Sequence, residues 1–163
     1  MKRIILVRHS KAEHYNFDVT DFERSLTKRG KRDAAIVAEQ LKNSDVIPDY
    51  FICSKAKRAR QTSSVFAEIM NFPEEKINRQ QFLYNGYTTN DFLNFISTIN
   101  NEHRTIIVFA HNPDIAALAS SLSKEDFYHF PTTATAVLEF DTDKWDRINA
   151  REGKVHLFLY PNQ

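Results

Sequence analysis

Three short stretches hold the residues best suited to chemistry: Arg8 and His9 in "LVRHSKAE", Arg58 in "SKAKRARQT", and His111 in "VFAHNP". A guanidinium fork matches phosphate oxygens two at a time. An imidazole is a nucleophile when neutral and a hydrogen-bond donor when protonated. Two arginines and two histidines around one phosphoryl group therefore suggest phosphoryl transfer without a metal. One imidazole would attack phosphorus in line while the other groups hold the oxygens as charge shifts. Nearby cations lower the pKa of that imidazole and keep its lone pair free near neutral pH.

Taken singly, these residues say much less. A histidine after a strand is more often a hydrogen-bonded structural residue, and Arg58 alone would read as a surface ion-pair partner. Rival chemistries also fit poorly. Cys53 precedes Arg58 by four intervening residues, whereas the cysteine phosphatase loop needs five, and Cys53 lies in an apolar run that suits a structural thiol. His9 and His14 do not have zinc-ligand spacing, and neither HExxH nor CxxC occurs. No Walker loop and no GxGxxG is found.

The candidate residues need elements to bring them together. Ile4 to Arg8 is a continuous apolar run, as for a strand covered on both faces. Residues 10 to 26 read as a polar loop. From Thr27 to Lys42, Ala34, Val37, Ala38 and Leu41 share a helical face. "YFICS" (50 to 54) reads as the second strand, 56 to 70 as a helix, and 78 to 82 as a third strand. Phe92, Phe95, Ile96 and Ile99 mark a helix over 90 to 100, and "TIIVFA" (105 to 110) is another buried strand. Asn112 and Pro113 read as a helix start, Asn as N-cap and Pro at the first helical position. That N-terminus would add positive potential for an anion. "ATAVLEF" (134 to 140) and "KVHLFLY" (154 to 160) alternate and close the chain as strands.

This alternation predicts an α/β sandwich with a largely parallel sheet and an antiparallel strand late in the chain. Ligands of such sheets bind beyond the carboxyl ends of the strands. Arg8-His9, Ser54 to Arg58, and His111 all follow strands, so the parallel sheet gathers them on one edge.

The bulk composition is compatible with this. The 163 residues suit one domain, residues 1 to 163, with a sizeable core. Hydrophobic residues are 42%, charged residues 26% and net charge +1, so nothing marks a nucleic-acid partner. The single cysteine excludes an internal disulfide and fits a reducing compartment. No stretch has the length of a membrane helix, and the first apolar run is too short for a signal peptide. A cytoplasmic protein with no membrane partner is the expectation.

The three stretches together resemble the histidine phosphatase superfamily, with its phosphoglycerate-mutase-like fold. "DFERSLTKRG" at 21 to 30 and "FPTTATAVLEF" near the end are similar to the SixA-like group of small phosphohistidine phosphatases. The resemblance spans roughly residues 3 to 140 and implies a three-layer sandwich with a mostly parallel central sheet flanked by helices. It implies that His9 is the phosphorylated nucleophile and that Arg8 and Arg58 are the phosphate-binding arginines. By the same resemblance His111 is the second histidine contacting the phosphoryl group, and no cofactor or metal is needed. Ser54 and Thr62 fall in the family's strand-to-helix segment as structural supports.

Three positions depart from the family pattern: Ser10 replaces a Gly, Lys55 replaces a Pro, and no carboxylate occurs from Asn78 to Asn90, where many members place a proton-donating Glu. Asp18, Asp21 and Glu23 in the first loop are the remaining proton-donor candidates, although Asp21 is equally suited to pairing with Arg24 or capping a turn. An alkoxide leaving group needs a proton, a contribution of ~10²–10⁴-fold, whereas imidazole leaves readily from phosphohistidine. The expected activity is metal-independent phosphatase action on protein phosphohistidine. The alternatives are a small phosphate ester as substrate, or a non-catalytic phosphate-binding module. The short segment from Glu74 to Tyr87 leaves no cap over the site, and Lys11, Lys55 and Lys57 at its rim would steer an acidic partner.

Overall fold

A computed structural model of the chain describes residues 1 to 162. Its elements run β1 (Lys2–Arg8), α1 (Lys28–Asn43), β2 (Tyr50–Ser54), α2 (Lys57–Met70), β3 (Asn78–Gln80), α3 (Phe82–Asn85), α4 (Thr89–Ile96), β4 (Thr105–Ala110), α5 (Asp114–Ser123), β5 (Thr135–Phe140) and β6 (Lys154–Leu159). Among the described residues the strands form one six-stranded sheet in the order β3-β2-β4-β1-β5-β6. The pairings β3-β2, β2-β4 and β4-β1 are parallel, while β1-β5 and β5-β6 are antiparallel.

Both sheet faces are buried because successive strand residues point to opposite sides. Ile4 and Leu6 of β1, with Ile106 and Val108 of β4, face α4 and α5 through Phe92, Ile96, Ile115 and Leu122. Ile5 and Val7, with Ile107 and Phe109, face α1 and α2 through Val37, Leu41 and Phe66. Continuous apolar strands are what a doubly covered sheet requires, and the result is the expected three-layer sandwich. Among the described residues no helix is long and apolar enough to cross a membrane.

The third strand is shorter than expected. Pairing stops at Gln80, and Phe82 already begins α3. The reading of Asn112 and Pro113 as cap and first helical residue is incorrect. Helix α5 starts at Asp114, Pro113 precedes it with no side-chain cap bond, and the Asn112–Pro113 peptide is cis. Asn112 is drawn elsewhere: its amide donates to the Phe130 carbonyl at 3.0 Å, joining this turn to the loop before β5. In contrast, α1 begins as its sequence suggests, with the Thr27 hydroxyl accepting from Gly30 N at 2.9 Å.

Gly30 also lets the first loop reach the helix. A Cβ there would lie 2.1 Å from the Lys11 carbonyl oxygen. That close approach lets Thr27 N donate to Lys11 O at 3.0 Å and brings the segment from Lys11 to Leu26 back over the ends of the strands. The loop carries a 3₁₀ turn, Asp21–Glu23, and an isolated bridge between Ala12 and Leu26.

Candidate active site

Sheet register explains why the candidate residues meet. Arg8 of β1 lies opposite Ala110 of the parallel neighbour β4, so His9 and His111 follow side by side. Cys53 of β2 lies opposite Phe109, which brings Ser54 to the same level. The imidazole centroids of His9 and His111 are 5.2 Å apart with planes inclined by 52°. The Ser54 hydroxyl lies 2.7 Å from His111 Nε2 and also accepts from Ala56 N at 3.1 Å.

His9 is 8% exposed and Arg58 is 6% exposed. His9 Nδ1 is 2.7 Å from the carbonyl of Ser10, and Arg58 Nε is 3.3 Å from His9 Nε2. A carbonyl only accepts and a guanidinium only donates. The His9 ring hydrogen therefore sits on Nδ1, and the Nε2 lone pair faces the cationic space. Burial, together with the positive charges of His111, Arg58 and Arg8, lowers the His9 pKa to about 3, against an opposing contribution from the Ser10 hydrogen bond. Burial and the Arg58 charge lower that of His111 to about 4.

Arg58 uses its two terminal nitrogens on one residue. Nη1 donates to the Asp21 carbonyl at 2.7 Å and Nη2 to Asp21 Oδ2 at 3.1 Å. The end-on fork is thus occupied, leaving the Nε edge turned toward His9. Asp21 also accepts from Arg24 Nε at 3.0 Å and from the Tyr84 hydroxyl at 2.8 Å. Desolvation would raise its pKa, but the bonds from Tyr84 and Arg24 and the Arg58 charge prevail and hold it at about 2. Asp21 thus meets Arg58 as a clamped carboxylate. Asp18 lies exposed on the loop, its backbone N–H donating to Asn16 Oδ1 at 2.8 Å. Glu23 lies in the 3₁₀ turn beside Asp21.

Arg8 Nη1 donates to the Phe130 carbonyl at 3.1 Å. Among the described residues, the buried Arg8 Nε and His111 Nδ1 have no hydrogen-bond partner. Buried polar atoms are normally satisfied, so these two atoms beside His9 and Arg58 make a site suited to an anion with several oxygens. Ser54 and Thr62 act as supports: Thr62 Oγ1 donates to Arg58 O at 2.8 Å and accepts from Ser10 N at 3.0 Å. Cys53 is fully buried, and burial raises its thiol pKa, which leaves it no role at the rim. Lys11 and Lys55 are exposed and Lys57 is half-buried.

Two site residues escaped the sequence reading. Tyr84 follows β3 within the segment where only a carboxylate was sought, so attention to the residues after that strand would have found it. Thr133 lies inside the "FPTTATAVLEF" stretch, but nothing in that stretch marks it individually. It adopts a left-handed φ of 68°, and its N–H is shared between the carbonyls of Arg8 and His9 at 3.1 and 3.2 Å.

This arrangement is that of a histidine phosphatase. The sequence pattern of the histidine phosphatase superfamily (branch 1) matches residues 4–80, and the chain belongs to that superfamily. An uncharacterized protein of Mycobacterium tuberculosis is 30% identical over 142 residues, covering 81% of this chain and 85% of the relative. An uncharacterized chloroplastic protein of Arabidopsis thaliana is 29% identical over 159 residues, covering 93% of this chain and 72% of the relative. Among solved structures, a candidate phosphohistidine phosphatase SixA of Agrobacterium tumefaciens superposes with a TM-score of 0.82 at 28% identity, covering 98% of this chain and 99% of that chain. The fold is phosphoglycerate-mutase-like, and the chain is a phosphatase of the histidine phosphatase type.

Proposed function

We propose that the chain, as one domain over residues 1 to 163, dephosphorylates phosphohistidine on a protein without a metal, through a phosphohistidine of its own. His9 Nε2 attacks phosphorus in line, the P–N bond to the substrate imidazole breaks, and that imidazole leaves with its electron pair and takes a proton from solvent. Water then attacks phosphorus, the P–N bond to His9 breaks, and inorganic phosphate departs. Arg8, Arg58 and His111 bind the phosphoryl oxygens. If Ser54 donates to His111 Nε2, the His111 hydrogen sits on Nδ1 and is offered to an oxygen.

The single observation that carries this reading is the His9 ring itself. Its Nδ1 hydrogen is held by Ser10 O at 2.7 Å, and its Nε2 faces Arg58 Nε at 3.3 Å. The ring is neutral at physiological pH and its nucleophilic nitrogen already faces the cation that would bind the transferred group. The substrate class is supported by the leaving-group argument. Asp21 is engaged by Arg58, Arg24 and Tyr84 as a carboxylate, so it serves to clamp Arg58 rather than donate a proton. Imidazole needs no dedicated acid, whereas an alkoxide does. Access for a protein is supported by the first loop, where Phe17 is 99% exposed beside the exposed Tyr15. The neighbour of Agrobacterium tumefaciens carries the same substrate class in its name.

The test is brief incubation with a labelled phosphorylated carrier protein, followed by quenching. An acid-labile, base-stable label on this chain, lost in His9→Ala, is expected. Turnover with no such adduct at position 9 would overturn the mechanism. Faster hydrolysis of a sugar phosphate than of the phosphorylated carrier would overturn the substrate class in favour of a small-molecule phosphomonoesterase.

A further inference from the structure

We propose that Tyr84 is a positioning residue of the phosphate site, acting through Asp21 to keep the Nε edge of Arg58 turned toward His9. The inference rests on the proposed phosphate-binding role of Arg58. Three chain segments meet at the Asp21 carboxylate: the first loop, α2 and α3. Tyr84 Oη donates to Oδ2 at 2.8 Å, and the same oxygen accepts from Arg58 Nη2 at 3.1 Å. Arg24 holds Oδ1 at 3.0 Å.

The Tyr84 ring is itself fixed by its neighbours. It meets Phe22 edge-on at 4.9 Å and His111 edge-on at 5.6 Å, and the Arg58 guanidinium carbon lies 5.9 Å from its centroid. Tyr84 thus touches Asp21, Arg58 and His111 without standing between them.

The Asp21 side chain is 45% exposed. A half-exposed carboxylate competes with water for its partners, and its ion pairs contribute little to stability. What the phenol adds is direction. A tyrosine has two side-chain torsions to restrain, and its ring is packed on three sides, so its hydroxyl places Oδ2 where Arg58 Nη2 must come. With Nη1 and Nη2 both drawn to Asp21, the remaining edge of the guanidinium is Nε–H, which donates to His9 Nε2 at 3.3 Å, and one Nη2 hydrogen; a phosphoryl group arriving at His9 would take that edge as a side-on fork for two oxygens. Burial and the adjacent Asp21 charge raise the Tyr84 pKa, so the hydroxyl keeps its proton and stays a donor. That proton is committed to Asp21, which leaves Tyr84 no role as acid to a leaving group.

The test compares Tyr84→Phe with wild type for tungstate affinity by calorimetry, with and without Asp21→Asn. The expected result is about tenfold weaker tungstate binding from loss of one hydrogen bond to a charged group, and a KM increase larger than the kcat decrease. The melting temperature should be unchanged, and the Tyr84→Phe effect should vanish in the Asp21→Asn background. Wild-type tungstate affinity in Tyr84→Phe, or an equal loss in both backgrounds, overturns the proposal. As a second reading, the Arg58 Nε–H resonance should exchange with solvent faster in Tyr84→Phe than in wild type; unchanged exchange also overturns it. Tungstate binding is measured without turnover, so a chain that fails to hydrolyse phosphohistidine still returns an answer on Tyr84.

Discussion

The hydroxyl of Ser10 lies 2.7 Å from that of Thr133, and both residues are fully buried. This bond joins the start of the first loop to the segment before β5, immediately behind His9. It also accommodates a serine where the family pattern has glycine. Thr133→Val leaves the Ser10 hydroxyl unsatisfied and should cost ~1–3 kcal/mol. The pair Ser10→Ala with Thr133→Val should recover most of that loss, because neither hydroxyl remains to be buried alone. Urea unfolding of the four proteins measures this; a double variant as unstable as the sum of the singles would show that the hydroxyl pair is not the relevant interaction.

His9 and His111 should stay neutral far below the ordinary imidazole range. Their values are about 3 and about 4, against 6.5 for an unperturbed ring. Between pH 6.5 and about 4 the unfolded chain binds protons at these rings that the folded chain does not. Stability therefore falls as pH falls through that window, then levels off once the folded rings protonate. For the more buried His9 the loss should reach ~3 kcal/mol by about pH 4.5, at ~1.36 kcal/mol per pH unit. Ring NMR signals that titrate near 6.5 would place both imidazoles in solvent and remove the case for a neutral nucleophile.

Asp21→Asn separates a clamp from an acid. Asparagine retains one oxygen for Tyr84 and Arg58 but loses the charge. For a clamp, kcat/KM should drop by about tenfold to a hundredfold, the scale of one or two charge-assisted hydrogen bonds. The same factor should apply to phosphohistidine and to phosphate esters with poor leaving groups. A loss confined to poor leaving groups would instead make Asp21 the proton donor.

Gly30→Ala should be damaging through the loop backbone that Gly30 packs against. The added methyl would lie 2.1 Å from Lys11 O, a backbone atom that cannot rotate away. Overpacking of this kind costs ~1–3 kcal/mol, and the first loop should shift with Asp21 on it. Both the melting temperature and tungstate affinity should fall. A variant with wild-type values in both would show that the loop does not depend on this contact.

Phe17→Ala tests whether the first loop reads a protein. Phe17 is 99% exposed, so its removal should leave stability within ~0.5 kcal/mol of wild type. Hydrolysis of a small phosphate ester should also be unaffected, while KM for a phosphorylated carrier protein should rise severalfold. Equal kinetics on the carrier would remove the aromatic loop from recognition.

Much of this molecule is visible before folding. "YFICS" and "TIIVFA" correspond to β2 and β4 residue for residue, because a strand covered on both faces must be apolar throughout. The helical faces of α1 and α2 emerge equally well from their spacing. The four candidate residues Arg8, His9, Arg58 and His111 stand out because each lies at the end of a strand, just past one, or at the start of the helix that follows one. Parallel strands bring such positions to one edge.

Other features depend on contacts that no local pattern encodes. Asn112 has the residue type and position of an N-cap, yet its amide serves the Phe130 carbonyl eighteen residues on. Asp21 could have been an acid, a cap or an ion-pair partner, and its state follows from Arg58, Arg24 and Tyr84 arriving together. The sequence alone determined the layers, the strand edge and the chemical character of the site, since these follow from residue type and periodicity. Only the tertiary structure decided which nitrogen of His9 carries the hydrogen, which edge of Arg58 turns toward His9 and what Tyr84 holds. A hydrogen bond is directional over about 3 Å, and its partners are chosen by sheet register and loop return rather than by spacing along the chain.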